Sequence, residues 1–180
     1  DIVTDMAIKL VPGGHPYHAL AEASANAARI GNIDAANIAS ITASQPGMTT
    51  LTGPLHPKDM IDMAHSPAYF LAAGAADKVF SWAHATPEKI NNLAIHDLID
   101  KVEVGPEPTE NAAAYRQGAT VTIKTHDGRS VTNTVFVPTG AGCLGIGWAD
   151  IDVKYRALTP SAPMTNGQVE ESLKSIHNFR

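Results

Sequence analysis

The sequence predicts a soluble α+β domain with a mainly antiparallel sheet and helices packed on it. Candidate strands and helices follow one another without the regular alternation of a doubly wound parallel fold. The segments Ala119–Thr125 and Ser130–Val137 flank Asp127-Gly128, which is typical of a hairpin turn. Of the 180 residues, 44% are hydrophobic and 17% are charged, a composition that can fill an apolar core. We therefore expect a single domain over residues 1–180.

The first quarter of the chain predicts a strand, a helix and a second strand. Residues Ile2–Val11 lead to Pro12-Gly13-Gly14, a pattern that is typical of a strand followed by a turn. Apolar residues then recur at helical spacing over Tyr17–Ile30, and Gly31 marks the expected helix end. Ile33–Ser44 has apolar residues at strand-like spacing and stops before a Pro-Gly pair, so we predict a strand there.

The rest of the chain predicts one irregular connection and a series of short elements. Met48–Lys58 contains Gly-Pro and His-Pro pairs, which indicate an irregular segment of the kind that often carries binding groups. Ser66 before Pro67 is typical of a helix start, and helix-forming residues continue to Val79. The remaining predicted elements are helices at Pro87–Ile99, Asp150–Leu158 and Gly167–Phe179, and strands at Lys101–Val104, Ala119–Thr125 and Ser130–Val137.

Charge and composition argue against several classes of function. The net charge of -5 leaves no broad basic face, so we expect no nucleic-acid partner. No apolar run reaches the roughly 20 residues of a membrane span, so we expect no membrane partner. The single cysteine, Cys143, excludes an internal disulfide and a multi-thiolate metal site, and it fits a cytoplasmic location. Because the chain begins at Asp1 without an initiator Met, we interpret it as part of a longer protein.

Two patterns that suggest cofactors do not hold up in context. Gly140–Gly145 matches the G-x-G-x-x-G dinucleotide pattern, but it follows a hairpin strand near the end of the chain. Too few residues remain after it for the strand that would bear the ribose-binding acid. The eight histidines lack the carboxylate partners and paired helical spacing of a zinc site. We therefore predict no cofactor and no metal.

One local cluster of cations points to an anionic ligand. Lys9, His15 and His18 surround the Pro12–Gly14 turn at an expected helix start. An ammonium group, one or two imidazoles and the amino end of a helix would suit a carboxylate-rich substrate. The alternative leaves Lys9 as a solvated residue and His18 as a capping or packing residue, which is the more common outcome for this spacing.

Several of these segments together resemble the MmgE/PrpD family, which includes 2-methylcitrate dehydratases, cis-aconitate decarboxylases and iminodisuccinate epimerases. Ile8–Pro12 followed by His18 and Ala21-Glu22-Ala23 is similar to the family's strand-turn-helix element, in which a lysine and a histidine face the active site. His65-Ser66-Pro-Ala-Tyr69 is similar to its His-Ser-x-x-Tyr helix start. The hairpin at Val121–Gly128 and a closing helix follow in the family's order. The resemblance covers nearly the whole chain.

The resemblance implies a role for the chain within a larger enzyme. It makes the chain the smaller α+β lid of a two-domain, cofactor-independent lyase or isomerase, preceded by a helical domain that carries further acid/base residues. It implies Lys9, His18 and Tyr69 as site residues. Some members carry a histidine directly after the proline, where this chain has Gly13-Gly14, so His15 is a candidate substitute. The isolated chain would be inactive, and a homo-oligomer remains open.

The resemblance also implies a reaction class. The leading hypothesis is dehydration of a tricarboxylate such as 2-methylcitrate, beginning with proton removal next to a carboxylate. Lys9 would hold a carboxylate, while His18 or His15 and Tyr69 would orient or move protons. The alternatives are epimerisation or decarboxylation of a related polycarboxylate, such as iminodisuccinate or cis-aconitate, and a noncatalytic binding module that shares the lid fold.

Overall fold

The fold is α+β, as the sequence predicts. The structure, a computed structural model, describes residues 7–179 without the side chain of residue 161. The described residues divide into a larger unit, residues 11–139, and a smaller unit formed by residues 7–10 and 140–179. Each unit has its own helices, and the four-stranded sheet belongs to the larger one.

The larger unit contains five helices and four strands. In chain order they are α1 His18–Ile30, β1 Ile38–Ser44, α2 Met60–Ala64, α3 Pro67–Asp77, α4 Pro87–Ile90, α5 Leu93–Ile99, β2 Val102–Val104, β3 Ala119–Thr125 and β4 Ser130–Val135. Short 3₁₀ turns in this unit lie at His15–Tyr17, Ala35–Asn37, Trp82–Ala85 and Ala112–Ala114.

The sheet has one helix-covered face and one polar face. Its strand order is β2-β1-β3-β4, with β1 and β2 parallel and the other two neighbouring pairs antiparallel. Ile41 of β1 lies opposite Ile123 of β3, and both are fully buried. On the other face the hydroxyls of Thr120 and Thr134 are 2.7 Å apart across β3 and β4. This alternation gives the period of two that one buried face requires.

Small residues bring the two main helices close together. α1 packs against α3, and it also packs against β3 and β4. A Cβ added at Gly74 of α3 would lie only 2.5 Å from the carbonyl oxygen of Ala21, so a larger residue would push the helices apart. The Ser24 hydroxyl donates to the Leu71 carbonyl at 2.7 Å and joins the same two helices. The core therefore lies between α1, α3 and the inner face of the sheet.

Two predicted element boundaries are confirmed at the atomic level. The Ser66 side chain accepts a hydrogen bond from the Tyr69 backbone N–H at 3.2 Å, so it caps α3. In the predicted hairpin β3 pairs with β4 from Ala119–Val135 to Lys124–Ser130, and Gly128 in the connecting turn has φ +87°. That left-handed conformation is one that glycine adopts at no steric cost.

Three predicted segments differ from the structure. The strand predicted at Ile33–Ser44 begins only at Ile38, because the Asn37 N–H donates to the Asp34 carbonyl in a 3₁₀ turn. The helix predicted at Pro87–Ile99 is interrupted, because the Asn92 side chain accepts from the Ile95 N–H and starts α5.

The strand predicted at Ile2–Val11 is also wrong where it can be checked. Residues 2–6 lie outside the described residues. Ala7 forms an isolated bridge with Ala141, and the Ile8 N–H donates to the Gly140 carbonyl at 2.9 Å. The chain then bends over residues 10–13, so the pairing does not continue into a ladder.

A carboxylate on α1 holds the last residue of the larger unit. Glu22 accepts two hydrogen bonds from Thr139, one from the backbone N–H at 2.9 Å and one from the hydroxyl at 2.8 Å. Hydrogen bonds to an ionised acceptor are stronger than those between neutral groups. The end of the unit is thereby fixed to the same helix that begins with His18.

The smaller unit is a pair of helices joined by ionic and polar contacts. These helices are α6, Trp148–Leu158, and α7, Asn166–His177. Arg156 donates two hydrogen bonds to the Glu170 carboxylate, at 2.8 and 3.0 Å. Nε2 of His177 lies 2.9 Å from the Asp152 carboxylate. No helix within residues 7–179 combines the length and the hydrophobicity that crossing a bilayer needs.

Candidate functional site

The glycine turn before α1 is packed so tightly that no larger side chain fits. Gly13 has φ +87°, and a Cβ added there would overlap Cζ of Phe70. Gly14 donates its N–H to the Ala64 carbonyl at 2.9 Å, and a Cβ added to it would lie 2.9 Å from that same oxygen. Neither position can therefore hold a histidine without displacing its neighbours, which leaves His15 as the first position after the proline that can.

His15 and His18 form a pair of facing imidazoles. The turn His15–Tyr17 contains Pro16 in its first positions, and His18 is the first residue of α1. The two Nδ1 atoms are 3.2 Å apart, and the rings meet edge to face with centroids 4.9 Å apart. Two imidazole nitrogens can form this hydrogen bond only when one donates and the other accepts, so one of the two Nδ1 atoms carries the proton. The sequence prediction left the choice between these residues open, and the structure brings both together.

The two imidazoles differ in exposure. His18 is only 3% exposed, whereas His15 is half-buried. The His18 ring lies parallel to the ring of Phe70, with 17° between the planes and centroids 6.3 Å apart. The pair therefore has an inner member held by aromatic packing and an outer member that solvent or a ligand can reach.

Tyr69 lies in the core of the larger unit. Its side chain is 0% exposed, and its hydroxyl donates to the His84 backbone carbonyl at 2.9 Å. Burial raises the pKa of the phenol well above its usual value, and the Asp77 carboxylate raises it further. The hydroxyl therefore stays protonated and occupied inside the protein.

Lys9 belongs to the smaller unit and is exposed. His15 and His18 belong to the larger unit, so the predicted site would combine residues of both units. The idea that Lys9 holds a substrate carboxylate therefore stays a prediction.

A buried polar network next to Tyr69 was missed by the sequence reasoning. His84 is 1% exposed, accepts the Ser81 N–H at 3.0 Å through Nδ1 and lies 3.0 Å from Asp77 through Nε2. Lys89 also donates to Asp77. Desolvation lowers the pKa of His84 despite the opposing effect of the Asp77 charge, so the imidazole is held neutral and donates Nε2–H to the carboxylate. The Ser81-to-His84 spacing of a capping box was the available signal.

A second histidine contact also went unpredicted, because its members are far apart in the chain. The Nδ1 atoms of His56 and His96 are 2.9 Å apart, and Nε2 of His56 lies 2.9 Å from Asp100. His96 Nε2 donates to the Ile90 carbonyl at 2.7 Å. This contact ties the irregular segment before α2 to α5. Within residues 7–179 no three His, Cys, Asp or Glu side chains converge as a metal ion would require.

A cavity of about 200 Å³ opens beside the start of α1. Tyr17 and Leu20 form part of its wall, and Thr49, Thr50 and Thr52 of the irregular segment form another part. Its lining side chains carry no charge, so it presents hydroxyl and amide groups that can bind a neutral polar group. The segment predicted to carry binding groups thus lies on a cavity wall.

The glycine-rich stretch Gly140–Gly145 does not have the strand-turn-helix form of a dinucleotide site. It contains a 3₁₀ turn at Gly142–Leu144, and α6 begins only at Trp148. The stretch therefore does not place its glycines at a helix amino terminus.

Comparison with known families identifies the chain. The profile of the MmgE/PrpD C-terminal domain matches residues 12–176. The chain belongs to this family. Comparison with curated proteins gave no match. The matched range includes the glycine turn, the histidine pair and Tyr69, which are the segments of the larger unit that carried the resemblance in the sequence.

Proposed function

We propose that this MmgE/PrpD domain supplies part of the active site of a lyase that dehydrates a tricarboxylate such as 2-methylcitrate. The observation that carries the proposal is the hydrogen bond between the Nδ1 atoms of His15 and His18 at the start of α1. Imidazole is the side chain best suited to accept and return a proton near neutral pH. The remaining groups of the site would come from a helical domain that precedes this one in the full-length protein.

The unequal burial of the two histidines suggests a division of roles. His15, the more exposed member, would take the proton from the carbon next to a carboxylate. His18, only 3% exposed, would fix the tautomer and orientation of His15 through the Nδ1 contact. The carbon–oxygen bond to the substrate hydroxyl then breaks, and a returned proton converts the leaving hydroxide into water. Lys9 would bind a carboxylate and stabilise the charge that develops when the proton leaves.

Tyr69 has a different role in this proposal from the one that the resemblance implied. Its hydroxyl is fully buried and donates to the His84 carbonyl, so it would support the fold next to the site instead of moving protons.

The proposal is tested by turnover of the full-length protein on 2-methylcitrate, cis-aconitate and iminodisuccinate, with identification of each product. We expect His15→Gln and His18→Gln to lower kcat on the preferred substrate by about a hundredfold and about tenfold, because general acid–base catalysis contributes at least that much. His126→Gln, at an exposed position beside the hairpin turn, is the matched control and should keep normal turnover.

Two results would overturn the proposal. Near-normal kcat in both histidine variants would remove the pair from the chemistry. Absence of turnover on all three acids by the wild-type full-length protein would favour a noncatalytic module. Product analysis separates dehydration from epimerisation and decarboxylation of the same class of substrate.

A further inference from the structure

A single aromatic ring contacts each part of the corner that carries the histidine pair. Phe70 of α3 is 0% exposed, and its Cζ occupies the space that a Cβ at Gly13 would need. One face of its ring is stacked on His18, with centroids 6.3 Å apart. Tyr17, between the two histidines, meets the same ring edge to face at 5.6 Å. The glycine turn, the short 3₁₀ turn and the first residue of α1 therefore all rest on Phe70.

Phe70 also packs against a ring outside this corner. Phe80 stacks on Phe70 with centroids 4.6 Å apart and 26° between the planes. His84 stacks on Phe80 in turn, with centroids 4.7 Å apart. We call the series His18, Phe70, Phe80 and His84 the aromatic column. Its far end is anchored, because His84 is hydrogen-bonded to Asp77 and Ser81.

The column limits how the histidine pair can move. If the His18 ring rotated so that it no longer lay parallel to the Phe70 ring, the 3.2 Å contact between the Nδ1 atoms would break. A shift of the Phe70 ring would release the turn that carries His15, because the ring fills the space over Gly13. Close packing of the Phe70 ring against His18, Tyr17 and the glycine turn opposes both motions.

We infer that Phe70 is a positioning residue for the histidine pair: it sets the ring plane of His18 and the path of the glycine turn, and through them the geometry of the hydrogen bond between the two imidazoles. The catalytic consequence of this inference rests on the function proposed above. The positioning itself does not, because it concerns the geometry of two imidazoles in the resting protein.

The kinetic test compares Phe70→Met with Phe80→Met in the full-length protein. Met has nearly the volume of Phe but no ring plane, so both variants should fold. We expect Phe70→Met to lower kcat by about tenfold or more with KM nearly unchanged, since misplacement of a catalytic group acts mainly on the chemical step. Phe80→Met removes the next ring of the column but leaves the stack of Phe70 on His18, so its kcat should fall by less than about threefold.

A spectroscopic test separates this inference from the proposed function. Histidine ring resonances of His15 and His18 are assigned with the two Gln variants and then followed over pH in wild type, Phe70→Met and Phe80→Met. The inference requires Phe70→Met to shift the tautomer signals and titration of both rings while Phe80→Met changes them little. If Phe70→Met leaves both rings unchanged, the inference is wrong even if the enzyme is active. If the rings respond but the Gln variants keep full turnover, the positioning stands and the proposed function fails.

A double-mutant cycle tests the contact between Phe70 and the turn directly. Gly13→Ala in the wild-type chain inserts a methyl group into the Phe70 ring, in addition to the strain of φ +87°. In the Phe70→Met chain the backbone strain at residue 13 remains, but the overlap is relieved because the flexible methionine side chain can move away from the added methyl group. We therefore expect Gly13→Ala to lower the melting temperature less in the second background than in the first. Equal losses in both backgrounds would show that the ring does not support the turn.

Discussion

The two imidazoles at the start of α1 face different surroundings, and this difference decides what each can do. His15 is half-buried and partly open to a ligand, whereas His18 is 3% exposed and contacts the His15 ring inside the protein. In acid–base sites, an exposed histidine often has its second ring nitrogen hydrogen-bonded to a more buried group. The 3.2 Å contact between the Nδ1 atoms joins the two rings.

Removal of the Tyr69 hydroxyl tests whether this residue supports the fold or takes part in the chemistry. Tyr69→Phe removes only the hydroxyl that donates to the His84 carbonyl, so a buried acceptor loses its donor. We expect the free energy of unfolding to fall by about 1–3 kcal/mol, measured by urea titration, with kcat within about twofold of wild type. Tyr115→Phe, which removes a half-buried hydroxyl that contacts Thr120 at 2.7 Å, is the matched control. A large drop in kcat without loss of stability would instead place the Tyr69 hydroxyl in the chemistry.

Residue identity and residue burial are predictable from sequence to different degrees. The motif from His65 to Tyr69 is local, and it correctly located the start of α3 through the Ser66 cap. The buried Tyr69 hydroxyl donates to the carbonyl of a residue 15 positions away, a contact that no local pattern encodes. Likewise, the contact of His15 with His18 is made across the 3₁₀ turn His15–Tyr17, and spacing alone left these residues as alternatives.

At the scale of an element, the β3–β4 hairpin has a turn that is stabilised by a charge. The Asp127 carboxylate accepts hydrogen bonds from the Thr125 hydroxyl and from Arg129 Nε, the latter at 2.9 Å. These bonds, with the Thr125 hydroxyl contributing most, lower the pKa of Asp127 to about 2 from 3.8. The native hairpin therefore binds this proton less readily than the unfolded chain does.

The pH dependence of that contribution follows from the direction of the shift. Because the folded pKa is the lower one, the stabilisation by Asp127 is complete above 3.8 and is lost as the pH falls from 3.8 to about 2. Asp127→Asn keeps a residue suited to the turn but removes the charge. We expect the variant to be less stable than wild type above pH 3.8 and the difference to shrink below it, as measured by urea titration at several pH values. A difference that is constant with pH would show that the charge does not stabilise the turn.

Element predictions succeeded where one local signal was sufficient. Asp127-Gly128 between two alternating segments specifies the hairpin because the turn requires a left-handed residue, and Gly128 has φ +87°. The helix predicted at Pro87–Ile99 failed because Asn92 competes with the backbone as a cap and starts a new helix within a continuous apolar pattern. The parallel pairing of β1 with β2 also had no local signal, since the strands are joined through α2 to α5.

At the scale of the whole chain, the family and the fold class were within reach of the sequence, whereas the division into units was not. Four weak motifs in order indicated the MmgE/PrpD family, and the domain match over residues 12–176 confirms it. The division into residues 11–139 and the remainder depends on which distant segments pair, such as Ala7 with Ala141. A single bridge of that kind has no periodic signature in the sequence.

The hydrogen bonds between Glu22 and Thr139 have a consequence for the kinetics of unfolding. They join residues 117 positions apart and therefore close a long loop. Because closing such a loop costs entropy, we expect these bonds to form only after most of the larger unit has folded. Interactions that form after the transition state slow unfolding without accelerating folding. Glu22→Gln removes the charge, and we expect it to raise the unfolding rate by several-fold while the folding rate stays nearly unchanged, as measured by stopped-flow mixing with urea.

Glu110→Gln, at an exposed position, is the control and should change neither rate. Slower folding of Glu22→Gln with an unchanged unfolding rate would mean instead that this contact forms early. In the expected case, the contact of Glu22 with Thr139 lengthens the lifetime of the folded larger unit. The helix that begins with His18 then also sets the rate at which this unit unfolds.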